Sequence, residues 1–256
     1  GEGLDGVLRN YAYKLTGILN GIDLVGYNPE TDPSITKNYT VKNYKEGKAA
    51  CKEALQERLG LDINAGAPLL GMITRLVDQK GIDLLTRVLD EMLYSGMQVI
   101  VLGTGDPYYE DSLRRMADHR PDQLSINICY DDELARQIYS GCDMFLMPSL
   151  FEPCGLSQMI AMRYGTVPIV RETGGLKDTV TPYNQFTGEG NGFSFSNINA
   201  HELLFTAKYA CDVYRNHDEA WEGLVEAGMN GDYSWNSSAK KYKELYNHLV
   251  NEDSHE

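Results

Sequence analysis

Positive charge is what this sequence is short of: 23 Lys and Arg stand against 37 Asp and Glu, a formal net charge of −14. Nucleic acids and anionic membrane surfaces are bound by neutralising phosphates with Lys and Arg, so neither is expected as a partner. A small anion needs only local cations and remains possible. No apolar run approaches the roughly 18 residues of a membrane-spanning helix, and no secretory apolar region opens the chain. Cysteines number five (Cys51, Cys129, Cys142, Cys154, Cys211), an odd count without a Cys-x-x-Cys pair, which predicts reduced thiols in a cytoplasm. His119, His201, His217, His248 and His255 are scattered and show no metal-ligand spacing, so no metal site is expected. The Gly-x-Ser-x-Gly elbow, the full Walker A sequence and an opening Gly-x-Gly-x-x-Gly are all missing, which demotes hydrolase, kinase and dehydrogenase readings. Internal repeats and low-complexity segments are absent as well.

What is there is 256 residues, 42% hydrophobic and 23% charged, enough for one large α/β domain or two small ones with a sizeable core. The opening Gly1-Glu-Gly-Leu-Asp-Gly6 has no initiator Met and reads like the middle of a protein, so an upstream portion is expected. Lys14–Asp23 and Tyr27–Pro33 are dense in turn formers and read as a linker. A helical pattern from about Tyr44 to Leu59, closed by Gly60 at a C′ position, begins the domain proper. Beyond it β-rich runs alternate with helical ones. Strands are predicted at Pro68–Thr74, Met97–Leu102, Leu124–Ile128, Asp143–Met147, Thr166–Val170 and Gly192–Phe195. Helices are predicted near Ile82–Tyr94, Tyr108–Asp118, Asp131–Ser140 and Leu156–Tyr164, then Ala200–Arg215, Glu219–Met229 and Ser237–Val250, with Trp221 and Trp235 as packing anchors. Strict alternation implies a doubly wound parallel sheet of α/β class, whose ligands bind outside the carboxyl ends of the strands.

The candidate residues all follow strands. Arg75-Leu-Val-Asp-Gln-Lys-Gly81 places two cations in a loop that opens a helix, an arrangement able to neutralise a diphosphate and stabilise it as a leaving group. The bland alternative is a solvated loop with an ion pair to Asp78. Leu102-Gly-Thr-Gly-Asp-Pro107 contributes Gly103 and Gly105, a weak phosphate signal, before an Asp106 cap and Pro107 at N1. Tyr130, ahead of an Asp131 cap, either stacks on a purine or covers the core. Phe151-Glu-Pro-Cys-Gly-Leu-Ser157 and Thr173-Gly-Gly-Leu176 both put small residues at predicted helix starts, where backbone N–H groups can hold a phosphate. Glu152 lies at the mouth of the first of these loops, where a carboxylate suits a neutral polar group such as a sugar. Together these features suggest a nucleotide-sugar site.

The combination Arg75-Leu-Val-Asp-Gln-Lys-Gly81, Leu102-Gly-Thr-Gly-Asp-Pro107, Phe151-Glu-Pro-Cys-Gly-Leu156 and Arg171-Glu-Thr-Gly-Gly-Leu176, with Leu15-Thr-Gly-Ile-Leu-Asn-Gly-Ile-Asp23, resembles the bacterial glycogen synthases and plant starch synthases. The resemblance spans nearly the whole chain. It implies the Rossmann-like, C-terminal, donor-binding half of a GT-B glycosyltransferase, the acceptor half being absent. By that resemblance residues 1–30 are an interdomain linker and remnant, 31–235 the nucleotide-sugar domain, and 236–256 a terminal helix that packs back on the missing N-terminal half. The apolar face of this helix (Tyr242, Leu245, Tyr246, Leu249) is then expected to be partly uncovered and weakly self-associating.

The family transfers glucose from ADP-glucose, or UDP-glucose in some members, to the non-reducing end of an α-1,4-glucan, with retention and without metal or other cofactor. The resemblance implies that Arg75 and Lys80 meet the donor diphosphate, Tyr130 the adenine ring and Glu152 the glucose. Cys154, Gly155 and Leu156 resemble the turn at glucose and phosphate, and Thr173, Gly174 and Gly175 the turn by the leaving group. Broader relatives carry a second glutamate where Ile160 stands here, which argues against the other glycosyltransferase branches. With only Glu152 as an evident carboxylate, same-face attack assisted by the departing diphosphate is expected rather than double displacement. Two alternatives are a chain that binds the donor but cannot transfer it, and the donor half of another GT-B enzyme using a UDP-sugar.

Overall fold

The computed structural model describes residues 3–253. Six strands form one sheet in the order β3-β2-β1-β4-β5-β6: β1 Leu69–Ile73, β2 Gln98–Leu102, β3 Leu124–Asn127, β4 Met144–Met147, β5 Val167–Arg171 and β6 Phe193–Phe195. Every neighbouring pair is parallel, for example Leu69 opposite Gln98 through Ile73 opposite Leu102. Strands such as Gln98-Val-Ile-Val-Leu102 are buried along their whole length, as a parallel sheet covered on both faces requires. The doubly wound α/β sheet expected from the alternation is therefore the fold.

Helices α1 Asp5–Asn10, α2 Tyr44–Leu59, α3 Ile82–Tyr94, α4 Pro107–His119, α5 Asp132–Gly141, α6 Ser157–Arg163, α7 Gly174–Thr179, α8 Ala200–Asn216, α9 Asp218–Met229 and α10 Trp235–Asp253 surround it. In α3 the apolar positions Leu85, Val88, Leu89 and Met92 recur at three- and four-residue steps and are buried, so one stripe faces the sheet. α3 packs on α8, α2 on α5, and α6 on α9. Gly60 ends α2 with φ 69°, as its C′ position demands. Asp106 caps α4 by accepting from Tyr108 N at 2.8 Å, with Pro107 at N1. Asp131 caps α5 through Leu134 N at 2.9 Å.

The chain runs outward from β1 to β3, then returns across the sheet to place β4 on the other side of β1. That reversal makes the β1/β4 boundary the topological switch point, where such sheets open a crevice at their carboxyl ends. Below the sheet, a buried ion pair from Lys52 to Asp143 (2.7 Å) ties α2 to β1 and β4, because Asp143 also accepts from Leu69 N and Lys52 donates to Ala67 O.

One sequence expectation needs correction. Trp235 is not a packing anchor: it is half exposed at the start of α10, and the neighbouring Tyr233 takes the core position with its hydroxyl on Gly228 O at 2.9 Å. Backbone pairing fixes this, since Ile22 N donates to Tyr233 O and so directs the Tyr233–Trp235 segment. Trp221 does pack, edge-on against Tyr214 at 5.0 Å. Within residues 1–30, α1 has no buried residue. The Gly174-Gly175 turn opens a short helix, α7, as the small residues of Thr173-Gly-Gly-Leu176 predict. All five cysteines are free thiols. Among the described residues no helix is long and apolar enough to cross a membrane, and no cluster of His, Cys, Asp or Glu could hold a metal ion.

Candidate functional site

The candidate residues collect at the carboxyl ends of β1 to β5, around the switch point, in two groups joined by the loop after β1. The first surrounds a recess of about 290 Å³ lined by Arg75, Gly103, Thr104, Cys129, Tyr130 and Tyr27, among others. Ligand sites begin near 300 Å³, so this volume suits one ring system rather than a whole nucleotide sugar. Tyr130 is 94% exposed at its rim, which removes the core-covering alternative and leaves a ring face open for stacking.

The opposite wall is fixed by a contact that the sequence did not reveal. The Arg136 guanidinium lies over the Tyr27 ring, 4.6 Å from its centroid. It is held by Asp132 at 2.9 Å, by Asp32 at 3.2 Å and by the Gly26 carbonyl. Burial works against the Arg136 charge, but these two carboxylates outweigh it and raise its pKa. Tyr27 arrives from a turn-rich segment far from the sheet in sequence, so no local pattern could have placed it here.

Gly103 and Gly105 serve loop contact. A Cβ on Gly103 would stand 1.7 Å from Thr74 O, and one on Gly105 2.2 Å from Leu76 O. Their N–H groups are already engaged, by Asn127 O and by the Glu110 carboxylate. The pair lets the β2 loop lie against the β1 loop, with Leu76 N on Thr104 O and Asp106 N on Leu76 O, and so holds Arg75 at the recess. Arg75 itself is exposed. Asp78 makes no ion pair with either loop cation, contrary to the bland alternative; it accepts from the Tyr109 hydroxyl, whose pKa burial and that carboxylate both raise.

The second group centres on Lys80 and Glu152. Nζ of Lys80 lies 2.5 Å from Oε2 of Glu152, with the two side chains only 16% and 11% exposed. Ser149 Oγ donates to the same oxygen at 3.3 Å, and among the described residues Oε1 has no hydrogen-bond partner. Glu152 was expected to meet a neutral polar group; its first partner is this cation, and the second oxygen is what it has left for a hydroxyl. The loop carrying it is clamped from three sides. Leu150 N donates to Gln79 O and Gln79 Nε2 to Phe151 O at 3.0 Å. Arg171, buried at the end of β5, donates to the carbonyls of Ser149, Leu150 and Ser196, and burial lowers its pKa.

Gly174 and Gly175 press on the same loop: their Cβ atoms would stand 2.1 Å from Glu152 O and 2.0 Å from Cys154 O. Gly175 N donates to Glu152 O at 3.0 Å, and Thr173 precedes them in extended conformation. Gly155 adopts φ 73°, which shapes the Cys154–Leu156 turn. Gln158, fully buried, holds that turn through Cys154 O and Gly155 O and reaches Thr179 Oγ1 of α7. Leu156 stays exposed beside it, and Ile160 is buried in α6. Thus Lys80, Glu152, Cys154, Gly174 and Gly175 are brought together by direct contact, and Arg75, Gly103 and Tyr130 line one recess. Ser149, Arg171, Gln158, Tyr27 and Arg136 are the supporting residues that sequence reading missed.

The cation–carboxylate pair and the aromatic-rimmed recess both lie at the carboxyl ends of the strands of a doubly wound α/β sheet. Residues 55–208 match the family described as Glycosyl transferases group 1, and the chain belongs to that family, with the Rossmann-like fold of its GT-B members. The chain is 53% identical over 249 residues to a glycogen synthase of Lachnospira eligens, covering 97% of this chain and 52% of that protein. It is 52% identical over 255 residues to a glycogen synthase of Geobacillus stearothermophilus, again 52% of its length. It therefore spans about half the length of the curated relatives it matches. The catalytic domain of starch synthase IV from Arabidopsis thaliana, solved bound to ADP and acarbose, superposes with a TM-score of 0.90 at 39% identity over 98% of this chain and 52% of that one.

Proposed function

We propose that this chain is the donor-binding half of a glycogen synthase, which transfers glucose from ADP-glucose to the non-reducing end of an α-1,4-glucan with retention of configuration. The observation that carries the reading is the Lys80–Glu152 contact pressed against the Gly174-Gly175 turn, which sets a phosphate-seeking cation beside a sugar-seeking carboxylate. The glycogen synthase relatives and the starch synthase solved with ADP support it.

In this reading Tyr130 stacks on the base across from the Tyr27–Arg136 wall, and Arg75 and Lys80 share the diphosphate. Glu152 accepts from a glucose hydroxyl through its unpartnered oxygen. The glycosidic C1–O bond breaks with its electron pair leaving on the β-phosphate, whose growing charge the two cations offset. The acceptor hydroxyl closes on C1 from the same face, and its proton passes to the departing phosphate oxygen. No nucleophilic carboxylate enters, and the reading assigns no metal or other cofactor. Acceptor contacts belong to a further half of the longer protein, which also covers the exposed Tyr242, Tyr246 and Leu249 of α10. The chain by itself binds donor without turning it over, and the whole enzyme works in the cytoplasm.

Calorimetry of ADP-glucose and UDP-glucose, beside Arg75→Ala and Lys80→Ala variants checked by circular dichroism, tests the reading. ADP-glucose is expected to bind, and each folded variant to lose at least about tenfold in affinity. Preference for UDP-glucose would shift the assignment to another GT-B transferase. Binding indifferent to both substitutions would refute the site.

A further inference from the structure

Away from the donor site, the chain between α7 and β6 carries an aromatic recess that the transfer chemistry does not use. Residues 181–192 form a loop closed on itself: Tyr183 N donates to Gly192 O, Asn184 N to Glu189 O, Gly188 N to Asn184 O, and Asn191 N to Thr181 O. Asn191 also caps Thr181 N with its side chain and holds Thr179 O. At the tip, Phe186 is 89% exposed, with its backbone fixed by Asn184 Oδ1 at 2.9 Å. Behind it the rings of Tyr183 and Tyr209 lie 6.3 Å apart, and both pack on the buried Phe193 of β6. Pro182, Tyr183, Asn184, Gln185, Phe186 and Tyr209 line a shallow, open recess of about 570 Å³.

The lining is the informative part. In a chain of net charge −14, it holds three aromatic rings, two side-chain amides and no charged residue. A cation or phosphate finds no counter-charge there. A neutral polyol does: its C–H faces lie on the rings, and its hydroxyls pair with the Gln185 amide, which has no partner among the described residues. Six lining residues fall far below the roughly 20 to 30 that one side of a stable protein interface needs. Phe205, one helical turn before Tyr209 on the same face of α8, is also exposed and extends the strip of rings.

We propose that this recess is a glucan-binding surface site, holding an α-1,4-linked glucose chain outside the transfer cleft. The choice of α-1,4-glucan rests on the function proposed above. The short helix α7 leads directly from the Gly174-Gly175 turn to this loop, so a polymer held here is tethered to the enzyme near the donor site.

Affinity electrophoresis of the chain through gels containing glycogen, with maltoheptaose calorimetry alongside, tests the site. Retardation is expected, weaker by roughly tenfold in Phe186→Ala and retained in Phe186→Trp. Because Phe186 touches solvent rather than core, its replacement leaves the fold intact. Migration unaffected by glycogen would overturn the site, and so would retardation equal in wild type and Phe186→Ala. Concentration-dependent sedimentation that Phe186→Ala abolishes would mark a contact between copies instead. ADP-glucose binding measured on the same preparations separates failure of this site from failure of the donor reading, since Phe186→Ala leaves donor affinity unchanged.

Discussion

Replacing Lys80 by Met and Glu152 by Gln, singly and together, asks whether the central ion pair exists in solution and what it does. With its nitrogen and oxygen 2.5 Å apart and both side chains largely buried, the pair has traded hydration for mutual attraction. Lys80→Met leaves Glu152 with only Ser149 Oγ at 3.3 Å, a nearly buried carboxylate without a counter-ion. Breaking a buried pair on one side costs about 3 to 5 kcal/mol; the partial exposure here places the cost near the lower figure, about 3 kcal/mol. Glu152→Gln strands the ammonium at a similar cost. The double variant has no stranded charge and is expected within about 1 kcal/mol of wild type, a coupling energy of several kcal/mol where independent sites show under about 0.5. Urea denaturation reads this directly. By heating, each single variant is expected to lose roughly 6 to 12 °C in Tm, the double far less. A double variant that loses the sum of the two singles would show that the pair is not formed. The same proteins test the role of the pair: Glu152→Gln frees Lys80 and removes a negative charge beside the diphosphate, so ADP is expected to bind it severalfold more tightly. Weaker ADP binding would refute the assignment of Lys80 to phosphate.

Gly175→Ala puts a methyl 2.0 Å from Cys154 O and 2.4 Å from Cys154 Cα, both backbone, so the Glu152 loop must move. About 1 to 3 kcal/mol of stability and most ADP affinity should be lost while circular dichroism keeps its shape, and unchanged affinity would remove this turn from the site. On the far side of the sheet Lys48 donates to Ser140 O, Cys142 O and Thr166 Oγ1, and burial lowers its pKa from 10.5 to about 8. Between those two values the unfolded chain still holds a proton that the folded chain has released. Stability relative to Lys48→Met should therefore be flat below about pH 8 and climb from there towards pH 10, as urea midpoints of the two proteins will show. A difference that falls with pH would contradict the burial of this ammonium.

The sheet was legible because its signal is local. The centres of β2 and β5, Val99-Ile-Val-Leu102 and Val167-Pro-Ile-Val170, are apolar, rich in β-branched residues and short, and the stripe from Ile82 to Leu93 is periodic, so strand and helix followed within a residue or two. The caps at Asp106 and Asp131 were equally readable, since a capping side chain reaches only two or three residues along its own chain. Trp235 failed for the opposite reason: an indole in sequence looks like core, and only the pairing of Ile22 with the Tyr233–Trp235 segment, more than two hundred residues away, decides that Tyr233 goes in and Trp235 stays out. The residues that build the walls of the site share that property. Tyr27 under Arg136, Arg171 on the carbonyls of Ser149 and Leu150, and Gln158 on Thr179 of α7 are each defined by a partner on another element or turn.

Glycine shows why position in the fold must be known before chemistry is assigned. Gly103, Gly105, Gly174 and Gly175 all suggested N–H groups offered to phosphate, yet each is glycine because a neighbouring carbonyl stands within about 2 Å of where a Cβ would be. For Gly103, Gly105 and Gly175 the N–H is already bonded to the protein. Their contribution is to let one loop lie on the next: β2's loop on β1's, and α7's turn on the Glu152 loop. In the function proposed above, the diphosphate charge then falls on Arg75 and Lys80, the two side chains those contacts hold in place. That shifts the expected weight of substitution: alanine at Gly103 should act on donor affinity through Thr74 and Arg75, and an Arg75→Ala protein should lose little further affinity when Gly103 is also changed. Additive losses in that cycle would return a direct phosphate role to the glycine.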